Sequence, residues 1–177
     1  MALGCDFLAI AAAEVGAIAE RRTDRMLDPS RSYDLPPFLT EDAGVNSGLM
    51  LAHYTQAAMV AENRRHCVPA GTDSLPTSAM QEDHVSMGWG GARKLRTVVA
   101  NLGRILAVEL TCAARALDLR APLEPGPGTA AALAAVRAAV PGPGPDRWLA
   151  PELAEAESLV ASGAVLDAVE GAIGGLE

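Results

Sequence analysis

Residues 73–88 read Asp73-Ser74-Leu75-Pro76-Thr77-Ser78-Ala79-Met80-Gln81-Glu82-Asp83-His84-Val85-Ser86-Met87-Gly88. This stretch gathers polar and titratable side chains into a chain that is otherwise rich in Ala, Leu and Val, and a long helical pattern leaves its end. Acidic groups are favoured in the first turn of a helix, where N–H groups are unpaired and the end is partially positive. Asp83 is therefore predicted to cap the long helix. A cap alone does not explain why Gln81, Glu82 and His84 lie beside it, so the stretch is also a candidate site.

Apolar residues recur at helical spacing in several segments, which Pro-rich and Gly-rich breaks separate. Asn46 or Ser47 is expected to cap the second helix, and Pro151 suits the first turn of the fifth. No strand pattern stands out, so the predicted fold is all-α, a bundle of long helices. The predicted helices cover about residues 5–26, 47–65, 84–119, 129–140, 151–162 and 164–173.

The composition limits the classes of partner. The 177 residues carry a formal net charge of −8 with a pI near 4.9, and no basic patch stands out, which argues against a nucleic-acid partner. Half of the residues are apolar but only 3% are aromatic, so small aliphatic side chains must supply close helix packing. We expect part of this apolar surface to meet another chain or a further portion of the same protein.

The cysteines and the N-terminal segment indicate the compartment. The chain has three cysteines, far apart and in no metal-ligand spacing, which favours a reducing cytoplasm: Cys5, Cys67 and Cys112. Residues 1–18 are apolar, but they lack a positive start and are interrupted by Asp6 and Glu14. We interpret them as a buried helix and expect no membrane segment. The absence of a cap before this helix suggests that the chain is cut from a longer one.

Simple catalytic motifs are absent from the sequence. A metal site built from His53, His66 and His84 lacks close ligand spacing, so no metal is expected. Gly-x-Ser-x-Gly is missing, and residues 88–91 have the glycines but not the Lys-Ser/Thr of a phosphate loop. Within one helix, Glu82 and His84 would point in different directions and could not act as an acid–base pair.

Residues 73–88 resemble the signature of the aromatic amino acid ammonia-lyases, in particular their histidine ammonia-lyase branch. The resemblance is strong over about residues 6–120 and weaker afterwards, so we divide the chain into a part of the helical-bundle core (1–120) and a short-helix region (121–177). Six other segments resemble the family in the same order: Asp6-Phe7-Leu8-Ala9-Ile10, Glu20-Arg21-Arg22, Leu35-Pro36-Pro37-Phe38-Leu39, Gly44-Val45-Asn46-Ser47-Gly48-Leu49-Met50, Ala61-Glu62-Asn63 and Ala92-Arg93-Lys94-Leu95-Arg96.

The resemblance implies the C-terminal portion of an all-α homotetramer whose active sites are each built from several subunits. The implied reaction is the non-oxidative removal of ammonia from L-histidine to give urocanate. It needs no external cofactor, because the family forms its electrophile, a methylidene-imidazolone ring, from its own Ala-Ser-Gly.

The resemblance also assigns three site residues. Glu82 matches the acid that faces the substrate's imidazole, Met50 matches a position lining the substrate pocket, and Gln81 matches a neighbour that supports the acid. The alternatives are structural: an acidic residue at a helix start for Glu82, core packing for Met50, and a purely structural role for Gln81.

The sequence departs from the family at several positions. Its Ala161-Ser162-Gly163 lies in the wrong context and is predicted to be a helix end, so the electrophile is expected from outside this chain and the isolated chain should be inactive. Met80 stands where the family often has Asn, Gly90 where it often has His, and Val68 replaces a His, which weakens the assignment of the substrate. The alternatives are a non-catalytic helical remnant or oligomerisation module, or part of a tyrosine or phenylalanine ammonia-lyase or aminomutase.

Overall fold

A computed structural model describes residues 1–176, which form α-helices joined by loops and no β-strand. The predicted all-α fold is therefore confirmed for these residues. Two short 3₁₀ turns, Pro37–Leu39 and Ser78–Met80, lie in the loops. The helices are α1 (Ala2–Leu27), α2 (Met50–His66), α3 (Gly88–Asp118), α4 (Pro127–Arg137), α5 (Ala150–Ser162) and α6 (Ala164–Ile173).

Helices α1, α2 and α3 pack against one another, and small residues on α1 make the contact close. The buried positions of α1 recur every three or four residues, which puts them on one face. A Cβ added at Gly16 would lie 3.2 Å from Ile105 Cδ1 of α3, so these two helices approach closely. The buried face of α1 comprises Asp6, Ala9, Ala13, Gly16, Ala19, Glu20, Thr23 and Leu27.

Two apolar clusters hold the rest of the chain on α3. One joins the end of α1 and the Pro-rich loop to the start of α2, with Leu39 and Leu49 almost fully buried against Val108 and Cys112. The other places Val136, Val140 and Ala156 of the C-terminal region against Ala107 and Ala114 of α3. The second half of α3 therefore carries both the loop before α2 and the C-terminal helices.

Two predicted N-caps are wrong. Helix α3 begins at Gly88 after Met87 rather than after Asp83, and α2 begins at Met50 after Leu49 rather than after Asn46 or Ser47. Before α2 the Ser47 N–H donates to Asp146, and before α3 the Val85 N–H donates to the Ser74 hydroxyl. These loop contacts hold both segments outside the helices that follow them.

The predictions at both ends of α5 are confirmed. Pro151 lies in its first turn, and Gly163 ends it in the left-handed conformation, with φ at +78°.

Helices α1 and α3 are long and apolar enough to cross a membrane by length and composition alone. Both pack against other helices of the chain, with 28% of the most apolar window of α1 and 44% of that of α3 buried. Helix α1 nevertheless keeps a second, exposed apolar face, which indicates that α1 has room for a further partner. That face comprises Leu3, Phe7, Leu8, Ile10, Val15 and Ile18.

Candidate functional site

Glu82 lies on a short hairpin-like loop, in a pair of antiparallel backbone hydrogen bonds with Thr77. The Thr77 N–H donates to Glu82 O at 2.9 Å, and the Glu82 N–H donates to Thr77 O at 3.3 Å. The Thr77 hydroxyl also donates to Glu82 Oε2 at 2.5 Å. The backbone and one carboxylate oxygen of Glu82 are thus held by one residue, while the side chain stays exposed to solvent.

The turn of this loop has an unusual backbone. Ser78, Ala79 and Met80 have φ values of +54°, +52° and +71°, which is the left-handed region that residues other than glycine seldom adopt. The Gln81 N–H donates to Ser78 O at 3.1 Å and closes the turn. Three consecutive left-handed residues turn the chain back so that Glu82 pairs with Thr77.

The base of the loop is fastened by Ser74. Its hydroxyl accepts the Val85 N–H at 2.9 Å and donates to Val85 O at 3.0 Å. These bonds, together with the Thr77–Glu82 pair, use the backbone groups that a helix starting at Asp83 would need. They explain why α3 starts at Gly88, later than predicted.

Asp6, to which the sequence analysis gave no contact of its own, joins α1 to the chain before this loop. Its carboxylate accepts the N–H groups of Ala70 and Gly71, at 3.0 Å and 2.7 Å, and lies 3.2 Å from Lys94 Nζ. The backbone hydrogen bonds from Ala70 and Gly71 are the main cause that lowers the pKa of Asp6, with Lys94 adding to them. A charged residue inside an apolar helix was a signal of this role in the sequence.

Lys94, which belongs to the family-like segment at residues 92–96, is a second residue that joins helices. Its ammonium contacts Asp6 and donates to the carbonyl oxygen of Val68, so it ties α3 to both α1 and the end of α2. Arg93 and Arg96 remain exposed.

Among the described residues, the other two predicted site residues are not held by side-chain hydrogen bonds as Glu82 is. Met50 is the first residue of α2 and is half-buried, whereas Gln81 is exposed. Within residues 1–176, no hydrogen bond joins Met50 to Gln81 or Glu82. The roles of all three residues therefore remain predictions.

The buried carboxylate of Glu20 lies between α1 and α2, and its contacts were missed by the sequence analysis. Arg21 Nε donates to Glu20 Oε2 at 2.6 Å, and His53 Nε2 lies 2.7 Å from Glu20 Oε1. Burial alone would raise the pKa of Glu20, but the hydrogen bonds from Arg21 and His53 outweigh it and hold the pKa below its usual value. The contact between His53 and Glu20 thus links α2 to the Glu20-Arg21-Arg22 segment of α1.

Neither a metal cluster nor a fitting electrophile precursor is found in the part of the chain that the structure describes. No group of three or more His, Cys, Asp or Glu side chains among residues 1–176 could hold a metal ion. Ala161-Ser162-Gly163 forms the exposed end of α5, where the Ser162 hydroxyl donates to Leu159 O at 3.3 Å. These residues do not fit a methylidene-imidazolone site.

The sequence profile described as aromatic amino acid lyase matches residues 1–138. A histidine ammonia-lyase of Streptomyces avermitilis is 62% identical over 172 residues, which is 97% of this chain and 34% of that protein. The chain thus spans about a third of the length of the curated relatives it matches.

Solved structures agree with this match. The crystal structure of a histidine ammonia-lyase from Trypanosoma cruzi has a TM-score of 0.93 and 43% identity, covering 97% of this chain and 34% of that one. A tyrosine aminomutase from Streptomyces globisporus has a TM-score of 0.92 and 39% identity, covering 97% of this chain and 33% of that one. The chain therefore belongs to the aromatic amino acid lyase family.

Proposed function

We propose that this chain forms about a third of a histidine ammonia-lyase and supplies Glu82 to the active site, where L-histidine loses ammonia to give urocanate. The observation that carries the proposal is the 62% identity to a histidine ammonia-lyase over nearly the whole chain, together with a carboxylate that a loop hydrogen bond holds in place. The complete site would assemble in a cytoplasmic homotetramer, with an electrophile formed outside this chain and no external cofactor.

The contacts of Glu82 support this role. Thr77 fixes Oε2, and among residues 1–176 no donor contacts Oε1, which is left to accept a hydrogen bond from a substrate. A carboxylate that accepts from an imidazole N–H favours one ring orientation and favours the protonated ring. Gln81 lies next to Glu82 on the same pinned loop, and Met50 would contribute an apolar wall to the pocket.

The test is a chimera in which this chain replaces the matching third of the Streptomyces avermitilis relative, assayed for urocanate from L-histidine. We expect activity in the chimera and a loss of kcat/KM in Glu82→Gln. A hydrogen bond to a charged group is worth about 1.5–3 kcal/mol, or roughly a 10- to 150-fold change in rate. Asp83→Asn is the matched control, because Asp83 is the neighbouring carboxylate, is also exposed, and has no role in the proposed site.

Two results would contradict the proposal, one for the function and one for the role of Glu82. A chimera that is soluble and of the parent's size but makes no urocanate would argue against the function. An active chimera in which Glu82→Gln and Asp83→Asn behave alike would remove Glu82 from the site and leave the function in place.

The second candidate is a non-catalytic helical module, and the exposed apolar face of α1 favours it, since that face suits association with another helix. Under this function the isolated chain would still self-associate, but the chimera would be inactive. Light scattering of the isolated chain alongside the chimera assay separates the two functions.

A further inference from the structure

Asp146, in the loop between α4 and α5, holds the chain just before α2. Its carboxylate accepts the Ser47 N–H at 2.6 Å and the Gly48 N–H at 2.9 Å. In return, the Asp146 N–H donates to Asn46 Oδ1 at 2.9 Å. The three bonds join segments that lie 98 to 100 positions apart in the sequence. The two backbone donors lower the pKa of Asp146, so the carboxylate is ionised at neutral pH.

Asp146 holds the backbone just before α2 on one side, and the Pro-rich loop holds it on the other. Leu49, which is almost fully buried, donates its N–H to Phe38 O at 3.0 Å. Met50 follows directly as the first residue of α2, and no side chain caps that helix. The position of Met50 therefore depends on how residues 46–49 are held.

The loop that carries Asp146 is itself fastened to the core. Arg115 of α3, which is buried, donates to Gly144 O at 3.2 Å. Arg147 donates to Gly142 O at 2.9 Å and to Glu152 of α5 at 3.0 Å. Asp146 is thus presented from a loop that α3 and α5 hold in place, so it can fix a segment distant in sequence.

We propose that Asp146 is a positioning residue that orients residues 46–50, including the proposed pocket residue Met50, through the N–H groups of Ser47 and Gly48. The inference rests on the proposed function, because only a lyase site gives Met50 a substrate to contact. It gives a part in the site to a residue beyond the 1–138 stretch that the family profile matches.

Two measurements test this inference separately. The first is amide hydrogen exchange of residues 47 and 48 in the chain itself, which requires no activity. Asp146→Ala should speed this exchange by about tenfold or more, since a lost stabilisation of 1.4 kcal/mol corresponds to a factor of ten. Asp146→Asn keeps one acceptor oxygen and should fall between Asp146→Ala and the unchanged chain.

The second measurement is KM and kcat for L-histidine in the chimera described above. Asp146→Ala should raise KM about tenfold and change kcat by less than about threefold, because a displaced pocket wall weakens binding more than the chemical step. Asp118→Ala is the matched control. Asp118 accepts from Arg137 Nη2 at 2.6 Å and also ties the C-terminal region to α3, but it does not touch residues 46–50.

The outcomes distinguish the claims. Unchanged exchange at residues 47 and 48 would overturn the proposed contact. Faster exchange with unchanged KM, or an equal rise of KM in Asp118→Ala, would overturn the positioning role while the proposed function stands. An unmutated chimera that is folded but inactive would overturn the proposed function and the positioning role together. Faster exchange with a rise of KM confined to the Asp146 variants would support the inference.

Discussion

Among the glycines of residues 1–176, Gly48 is the one at which an added methyl group meets the closest contact. Its φ is +57°, which is left-handed, and a Cβ built there would lie 2.4 Å from Phe38 O and 3.1 Å from Thr40 Cβ. Phe38 O cannot simply move away, because it accepts the Leu49 N–H at 3.0 Å, and Leu49 is almost fully buried. Gly48→Ala must therefore either strain the backbone or displace a segment of the core.

The magnitude follows from two terms. A left-handed conformation costs a residue with a Cβ about 1–2 kcal/mol, and forcing an extra carbon into a packed site costs about 1–3 kcal/mol. Gly48→Ala should therefore lower the free energy of unfolding by about 2–5 kcal/mol. Urea unfolding followed by helical circular dichroism measures this, at one fixed protein concentration, because association also stabilises the folded state.

Substitutions at two other glycines allow the backbone cost and the packing cost to be measured separately. Gly44 has a φ of +101° with nothing within 4 Å of an added Cβ, so Gly44→Ala carries the backbone cost without the clash. Gly103 lies inside α3 with equally open space, so Gly103→Ala should stabilise the chain by about 0.5–1 kcal/mol. If Gly48→Ala cost no more than Gly44→Ala, the packing of Gly48 against Phe38 O would be refuted.

The remaining predictions concern the loop turn and the response to acid. Met80→Asn should raise the free energy of unfolding by about 0.5–1 kcal/mol, because Met80 has a φ of +71° and Asn tolerates this conformation better; a lower urea midpoint for this variant would contradict the reasoning. Hydrogen bonds from Ser30 and then Arg31 lower the pKa of Asp28 from 3.8 to about 2, so the unfolded chain binds this proton more readily. The stabilisation that ionised Asp28 gives to the folded state should be complete above about pH 4 and lost as the pH falls through about 2. The thermal midpoint of Asp28→Asn should therefore lie below that of the unchanged chain at about pH 6, and the two midpoints should meet near pH 2.

Much of the secondary structure could be predicted because the signals for it are local. The predicted helix at 164–173 coincides with α6, and that at 151–162 differs from α5 by one residue at its start. Pro and Gly breaks and the helical period of apolar residues act over a few positions, so they can be recognised along the sequence alone. The candidate site was different: Glu82, Gln81 and Met50 came from a family resemblance, and the structure describes their surroundings without testing their roles.

The sequence by itself determined the helical class, the breaks between helices and membership of a lyase family. Only the tertiary structure decided where α2 and α3 begin, because Asp146 and Ser74 take up backbone N–H groups that the sequence had assigned to helix starts. It also decided that Asp6 and Lys94 join α1 to α3. Such bonds connect residues up to about a hundred positions apart, and their partners depend on how the helices pack, which no local pattern of residues encodes.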